Sequence, residues 1–273
     1  MINALDISII VPTKNRPNHI KNLLESIKKL NVKLGQILIA DGSGNISEIV
    51  DSYKKDLNIE WLKCPELGQI NQRNYALKFV NSNIKIVAYL DDDLILDKNS
   101  IKNIINFWNE VKPTPAGVSF NITNLKSQPN SFLRKFFFMQ LEPLGKVLLS
   151  GYNTPIVNIK KSIKSDWLLG GATLWRKDIL DKNIVPKSSM NWAISEDLIF
   201  SYPISKKEYL YVCANAKVLH FDEEENISLK KIYIRSKVGV LRRYEFVCKN
   251  KDLYKTLFFW MIIGNLLGHL FLL

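Results

Sequence analysis

Three consecutive carboxylates, Asp91, Asp92 and Asp93, follow directly on the apolar, β-branched run from Ile86 to Leu90. Such a run predicts a buried strand, so the three acids lie at a strand end. Adjacent negative charges repel one another, and a divalent cation would relieve that repulsion. Oxygen ligands of this kind favour Mg²⁺ or Mn²⁺ over Zn²⁺. The pattern predicts a metal site that holds a diphosphate; the alternative is a solvated turn that caps the next helix.

A second pair of carboxylates, Glu196 and Asp197, follows Ser195 and precedes the apolar residues 198–200. Partial burial beside another acid raises the pKa of a carboxylate toward the range that suits a general base. The alternative is a capping arrangement in which Ser195 and the acids open a helix. The two interpretations are compatible, because a helix N-terminus would also orient the base.

The elements that must position these acids alternate along the first 111 residues. Apolar runs predict strands at residues 6–11, 36–40, 59–63 and 85–90, and amphipathic segments predict helices at 19–30, 46–55, 69–80 and 100–111. This order predicts an α/β fold with a mainly parallel sheet and helices on both faces. Ligands of such sheets bind beyond the carboxyl ends of the strands. The loops 12–16, 41–44, 64–73 and 91–93 fall there.

The pattern is less regular beyond about residue 115. Strands are expected at residues 118–122, 172–175 and 216–219, and residues 131–145 form a helix or a flap on the acceptor side. No repeat or low-complexity linker interrupts the chain, so residues 1–225 are expected to form one domain. Residues 226–256 are expected to form a basic amphipathic helical segment and residues 257–273 an apolar, membrane-associated tail.

The charge of the chain is strongly basic, at +12 over 273 residues. Nine basic residues lie between Lys230 and Lys255, directly before the apolar tail. This placement favours an anionic membrane surface over nucleic acid as the partner. The three cysteines, Cys64, Cys213 and Cys248, form no metal-binding cluster, which disfavours zinc and fits a reducing cytosol. The N-terminus has no signal-peptide pattern.

The apolar tail has 17 residues, from 257 to 273, without a formal charge. At 1.5 Å per residue it would extend about 26 Å as a helix, slightly less than a hydrocarbon core of about 30 Å. It therefore spans the membrane, lies in its plane, or packs as a buried helix. The preceding basic residues predict that the rest of the chain stays on the cytoplasmic face.

Six segments, in this order and spacing, resemble glycosyltransferase family 2, whose members are inverting enzymes of the GT-A fold. They are residues 11–16 (VPTKNR), 40–43 (ADGS), 68–74 (GQINQRN), 90–93 (LDDD), 170–176 (GGATLWR) and 195–197 (SED). The resemblance covers about residues 5–243. It implies a Rossmann-like α/β fold of the GT-A type, followed by C-terminal basic and apolar helices.

The resemblance also implies a role for each motif. Donor binding is assigned to Pro12, Thr13, Asn15, Arg16, Asp41, Arg73, Asp91 and Asp92. The implied metal ligands are Asp93, Asp91 and His220. Asp197 is the implied base, and Glu196 has a structural or acceptor-binding role. The acceptor side is assigned to Gly170, Gly171 and Trp167, and the diphosphate candidates are Arg235, Arg242 and Arg243.

Simpler interpretations stay open for several of these residues. Asp41 either reads the base or begins a tight Asp-Gly turn. An isolated arginine such as Arg16 or Arg73 commonly lies on a solvated surface. Trp167 either stacks on a sugar or belongs to the core, and a lone histidine such as His220 is commonly structural. The arginines of the basic segment either contact phosphate or face a membrane.

The expected function is a metal-dependent inverting glycosyltransferase that uses Mn²⁺ or Mg²⁺ at the cytoplasmic membrane face. The resemblance implies a UDP-sugar donor, with dTDP and GDP as alternatives, and the acceptor is expected to be a lipid-linked or surface glycan. Two other classes remain: a sugar nucleotidyltransferase and a non-catalytic nucleotide-sugar-binding membrane protein. The absence of glycine from residues 11–16 weighs against the first.

Overall fold

The computed structural model describes residues 1–125, 131–183, 194–221 and 228–271. Within these ranges the strands are β1 Ile7–Thr13, β2 Gln36–Asp41, β3 Ile59–Lys63, β4 Ile86–Leu90, β5 Leu94–Leu96, β6 Gly117–Ile122, β7 Ile163–Ser165, β8 Ala172–Arg176 and β9 Leu210–His220. The helices are α1 Pro17–Lys28, α2 Ser47–Tyr53, α3 Gln69–Leu77, α4 Ser100–Glu110, α5 Phe132–Phe136, α6 Lys177–Lys182, α7 Glu196–Ser205, α8 Leu229–Lys249 and α9 Lys255–Phe271.

The strands form one sheet in the order β3-β2-β1-β4-β8-β6-β9-β5, with β7 beside β9. The half built from β3, β2, β1 and β4 is parallel, as the sequence predicts. Pro12 lies within β1 and is buried, although proline cannot donate to a strand ladder. It is accommodated because β4 pairs only with residues 7–10 of β1.

The other half of the sheet is partly antiparallel, a detail that the sequence pattern did not reveal. β8 runs antiparallel to both β4 and β6. Leu90, the last residue of β4, faces Ala172, the first residue of β8. This pairing brings the carboxylates that follow β4 next to the two glycines that precede β8.

Helices cover both faces of the sheet, as predicted. One core cluster joins the sheet to α1, α2 and α4, with Leu23, Val50 and Ile104 fully buried. The other cluster takes buried side chains from α3, α6, α7, α8 and α9. A parallel-type sheet needs apolar helices on both sides because neither of its faces can stay in water.

The C-terminal helices pack on the domain through a few side chains. α8 buries only Phe246 and Val247, and α9 places Phe258 and Met261 in the core. The opposite face of α9 is exposed, so the helix belongs to the domain on one side only. In the described part of the chain, no helix is long and apolar enough to cross a membrane. The expected domain boundary at residue 225 lies outside the described residues.

Candidate active site

A cleft lies where β4 ends and β8 begins. Its lining includes seven of the residues that the sequence analysis assigned to the site: Arg73, Asp91, Gly170, Gly171, Glu196, Asp197 and His220. These residues come from five separate segments of the chain. The cleft therefore lies beyond the carboxyl end of β4, where the topology predicts a ligand.

Asp91 is held from three sides. Its backbone N–H donates to the Gly171 carbonyl at 2.8 Å, and its Oδ1 accepts from Arg73 Nη2 at 2.7 Å and from Gln69 Nε2. A Cβ added to Gly171 would overlap the Asp91 carboxylate. The glycine is thus required by the close approach of β8 to this acid. Arg73 is buried and also lies over the Tyr89 ring, 5.3 Å from its centroid.

Asp92 and Asp93 point toward the loop that follows β1. Asp92 is buried and accepts from Thr13 Oγ1 at 2.6 Å and from Arg16 Nη1 at 3.1 Å. Arg16 Nη1 also lies 3.3 Å from Asp93 Oδ2. Burial raises the pKa of both acids, and the nearby Asp91 charge raises that of Asp93 further. Arg16 opposes both shifts, so one guanidinium balances much of the negative charge.

Asp93 and His220 are the residues that could hold a divalent cation. Asp93 Oδ1 is buried and accepts no hydrogen bond from a described residue, and His220 Nε2 lies 3.6 Å from it. A carboxylate oxygen and an imidazole nitrogen suit Mn²⁺, and Mg²⁺ commonly uses one or two carboxylates together with substrate phosphates. Among the described residues, no three His, Cys, Asp or Glu side chains converge on one point. The third predicted ligand, Asp91, forms an ion pair with Arg73 instead of converging with Asp93 and His220.

Glu196 and Asp197 open α7 at the floor of the cleft. Ser195 is the N-cap residue and both acids lie in the first turn, as the capping alternative requires, but Ser195 has a left-handed backbone (φ 58°) and its side chain makes no cap hydrogen bond. Instead, the Asp197 carboxylate accepts from Leu198 N at 2.8 Å. Burial and the Asp197 charge raise the pKa of Glu196 to about 8, and its buried Oε2 accepts no hydrogen bond from a described residue. Burial also raises the pKa of Asp197, against the effect of Leu198 N–H and Arg243.

A second, mainly apolar cavity shares a wall with the cleft. The shared wall consists of Arg73, Leu169, Gly170, Glu196 and Asp197. The rest of this cavity is mostly aromatic and aliphatic, with Tyr89, Trp175 and Phe200 among its lining residues. The two acids of α7 therefore lie between a polar compartment and an apolar one, which explains the burial that raises their pKa values.

Comparison with known protein families identifies the family of this chain. Residues 8–180 match the family model described as Glycosyl transferase family 2. The chain belongs to glycosyltransferase family 2. It is 27% identical over 186 residues to an uncharacterized glycosyltransferase of Rickettsia conorii, a match that covers 67% of this chain and 29% of that protein. The chain thus spans less than a third of this curated relative.

Solved structures of two glycosyltransferases share the fold. S. aureus TarS 1–349 in complex with UDP-GlcNAc has a TM-score of 0.56 and 16% identity, over 94% of this chain and 72% of that one. The mannosyltransferase PcManGT of Pyrobaculum calidifontis, in complex with GDP-Man and Mn²⁺, has a TM-score of 0.61 and 14% identity, over 95% and 68% of the two chains. The predicted GT-A fold and glycosyltransferase class are confirmed, and family membership supports a nucleotide-sugar donor.

Several residues that the family resemblance assigned to donor binding are buried within the protein. Asp41 is fully buried, and its oxygens accept from Ser43, Gly44 and Trp61 Nε1. Burial would raise the pKa of Asp41, but these hydrogen bonds hold it below its ordinary value. The hydrogen bonds from Ser43 and Gly44 form the Asp-Gly turn that the sequence left open, and the base-reading role of Asp41 stays a prediction. The donor-binding role of Asp92 also stays a prediction, since its carboxylate accepts from Thr13 and Arg16.

The remaining donor-loop residues surround the cleft without lining it. Pro12 and Thr13 are buried at the end of β1. Asn15 is exposed and has a left-handed backbone with φ 57°. Gln72, which the sequence analysis did not single out, joins the two nucleotide loops: its Nε2 donates to the carbonyls of Thr13 and Ala40, each at 2.7 Å. Its position directly before Arg73, within the segment 68–74, could have indicated that Gln72 belongs to the site.

Trp167 and the three arginines of α8 do not line the cleft. Trp167 is buried and its Nε1 donates to the Thr154 carbonyl at 2.9 Å, so it belongs to the core rather than to an acceptor surface. Of the diphosphate candidates Arg235, Arg242 and Arg243, none lines the cleft. Arg242 pairs with Glu245 on its own helix at 3.3 Å.

Arg243 binds the backbone and side chain of a neighbouring loop. Its Nη1 donates to the Gly151 carbonyl at 2.8 Å and to Asn153 Oδ1 at 2.9 Å. Burial lowers the pKa of Arg243, and the charge of Asp197 opposes that shift. Arg243 therefore joins α8 to the loop at 151–153 and places a positive charge within electrostatic range of the predicted base.

Proposed function

We propose that this glycosyltransferase moves a sugar from a nucleoside-diphosphate donor to an acceptor hydroxyl with inversion of the anomeric centre. One observation carries the proposal: the cleft collects Arg73 and Asp91 from one side and Glu196 and Asp197 from the other. In this proposal the first pair contacts the donor, and the second pair supplies the base that removes the proton of the acceptor. A protein that only binds nucleotides would not need Glu196 and Asp197.

The chemistry assigned to the side chains is a single displacement. Asp197 takes the proton of the acceptor hydroxyl while the hydroxyl oxygen forms a bond to the anomeric carbon. The bond from that carbon to the diphosphate oxygen breaks at the same time, and the nucleoside diphosphate leaves with the electron pair. Attack from the opposite face inverts the configuration. Glu196, whose pKa is raised to about 8, is then a hydrogen-bond donor to the acceptor at neutral pH.

We further propose that Mn²⁺ or Mg²⁺ assists the departure of the diphosphate. Asp93 and His220 would hold the ion, and a change in the side-chain orientation of Asp91 would add a third ligand. A divalent ion bound there supplies positive charge to the leaving group. Mn²⁺ in the PcManGT complex supports this assignment. UDP is the proposed nucleotide because of the family resemblance and the TarS complex with UDP-GlcNAc, with dTDP and GDP as alternatives.

The acceptor is proposed to be a glycan or a lipid-linked glycan, and the enzyme to work at the cytoplasmic face of a membrane. The apolar outer face of α9 and the basic residues before it support this location. A sugar nucleotidyltransferase is the weaker alternative, since the family match is to glycosyltransferases. A non-catalytic sensor is weaker too, because it has no use for Glu196 and Asp197 beside the donor site.

Calorimetry of nucleotide binding tests the donor and metal assignments together. We expect UDP to bind the wild-type protein more tightly with Mn²⁺ than with EDTA, and GDP and dTDP to bind more weakly. Asp93→Asn should lose most of the Mn²⁺-dependent gain while melting at the same temperature. Asp97→Asn, at the exposed N-terminal side of α4, is the matched control. Binding of UDP that is equal with and without the ion in both proteins would refute the metal site.

A further inference from the structure

α5 and α9 meet although 118 residues separate them in the sequence. Trp260 Nε1 of α9 donates to the Phe136 carbonyl of α5 at 2.9 Å, and the Trp260 ring packs against Phe136 and Phe137 at centroid distances of 5.3 and 5.1 Å. Gly264 lies so close to Phe137 that an added Cβ would overlap its ring. The two helices therefore form one packed unit.

The outer side of this unit is apolar and faces water. On α5 the exposed side chains are Phe132, Leu133 and Phe136, and on α9 they are Phe259, Ile263 and Leu266. We call these six residues the α5–α9 patch. Residues 259, 263 and 266 follow helical spacing, so they form a continuous stripe on α9. A contiguous apolar surface of this kind marks an interaction site on a soluble domain.

The charges around the patch are all positive within the two helices. α5 contains Arg134 and Lys135, α9 begins at Lys255, and neither helix contains an aspartate or a glutamate. Lys135 and Lys255 are exposed. Aromatic side chains with flanking lysines are typical of proteins that lie at the interface of an anionic bilayer. The same charges oppose a symmetric dimer, because a two-fold axis would bring the two basic rims together.

The geometry of α9 selects one of the membrane arrangements that its sequence left open. Its inner face is occupied, since Phe258 and Met261 lie in the core. A helix fixed to the domain along one face cannot be surrounded by lipid, but it can immerse its other face in the plane of the interface.

We propose that the α5–α9 patch docks in the plane of an anionic lipid bilayer, with α5 contributing as directly as α9. This inference deepens the proposed location of the enzyme at a membrane face. Its failure would leave the chemistry of the cleft untouched, because no residue of the patch lines it. The partner is the lipid surface itself, and no specific lipid headgroup is required.

Flotation of the intact protein with vesicles tests the proposal. The vesicles are phosphatidylcholine alone or phosphatidylcholine mixed with phosphatidylglycerol. We expect binding to the anionic vesicles, and a loss of about tenfold or more in affinity for Leu133→Ser and for Leu266→Ser separately, since each removes one large apolar contact. Leu5→Ser is the matched control: Leu5 is 61% exposed, against 65% for Leu133 and 60% for Leu266, and lies outside the patch.

Circular dichroism of each variant confirms folding, and Phe132→Ser replaces Leu133→Ser if the latter unfolds. A loss for Leu266→Ser with none for the α5 variants would overturn the shared surface. Equal binding to neutral and anionic vesicles would overturn the role of charge, and no flotation of the wild type would overturn docking itself. A lipid-free dimer that Leu133→Ser dissociates, seen by analytical ultracentrifugation, would instead assign the patch to a second copy of the chain.

Discussion

Gly171 and Asp91 are in direct contact across the antiparallel pair of β8 and β4. The Asp91 N–H donates to the Gly171 carbonyl at 2.8 Å, and the Asp91 carboxylate occupies the space where a Cβ of residue 171 would lie. The acid and the glycine belong to motifs that are 80 residues apart in the sequence. One contact thus couples the strand that carries the acidic motif to the strand that opens the acceptor side.

Gly171→Ala should therefore displace Asp91 and lower the transfer rate by about a hundredfold, as expected when a catalytic group shifts by about 1 Å. Gly239→Ala on α8 is the matched control, because its Cβ would make only an ordinary contact, 3.5 Å from Ile194 Cγ2, and Gly239 does not line the cleft. Rates of sugar transfer and melting temperatures of both variants check this. Equal rates for the two variants would show that the contact does not position Asp91.

Asp197→Asn should bind the donor as the wild type does and lose turnover by roughly 10² to 10⁴, the usual contribution of a positioned base. The physical reason is that an amide cannot accept the proton of the acceptor hydroxyl. Calorimetry of donor binding and the transfer rate measure the two effects separately. If Asp197→Asn turns over normally while Glu196→Gln is inactive, then Glu196 is the base.

The raised pKa of Glu196 predicts a loss of stability as the pH rises from about 4.5 to about 8. Its pKa rises from 4.5 to about 8 on folding, so the folded protein keeps a proton that the unfolded chain releases. The free energy of unfolding should fall as the pH rises from about 4.5 and level off above about 8. Glu196→Gln should remove this part of the pH dependence, as denaturant titrations at several pH values would measure. An unchanged slope would mean that Glu196 is ionised in the folded protein.

Arg243 and Arg242 are adjacent in sequence, but we expect their substitution to lower the free energy of unfolding by different amounts. Arg243→Met leaves the Gly151 carbonyl and the Asn153 side chain without their buried donor, which should lower the free energy of unfolding by about 1–3 kcal/mol. Arg242→Met removes only an ion pair with the exposed carboxylate of Glu245 and should cost less than about 1 kcal/mol. Denaturant titration measures both. Similar losses would contradict the structural role of Arg243.

The parallel half of the fold was accessible from sequence because its strands are mainly apolar and alternate with amphipathic helices. The strands at 36–41, 59–63 and 86–90 are within one residue of their predicted bounds. In the other half the sequence located β6, β8 and the end of β9, but not the strand directions. It missed β5 and β7, which have only three residues each. Short strands carry too little periodicity to be recognised.

The site residues also fall into a group whose position could be predicted from the sequence and a group whose contacts could not. Arg73, Asp91, Glu196 and Asp197 reach the cleft because their motifs lie next to strand or helix ends that the sequence pattern locates. Asp41 and Asp92 follow strand ends too, but local donors occupy their oxygens, and a sequence does not reveal which donors fold back. The hydrogen bonds of Arg243 were not predictable, because its partners lie in the loop at 151–153, which has no regular structure.

Release of nucleoside diphosphate from a panel of UDP-, GDP- and dTDP-sugars tests the central claim most directly. The intact protein with Mn²⁺ should release the nucleotide from at least one of these donors, and Asp197→Asn, with unchanged donor affinity, should release it roughly 10² to 10⁴ times more slowly. An exposed control, Asp51→Asn on α2, should match the wild type. No release from any donor, or equal release by wild type and Asp197→Asn, would contradict a glycosyl transfer site at the acids of α7.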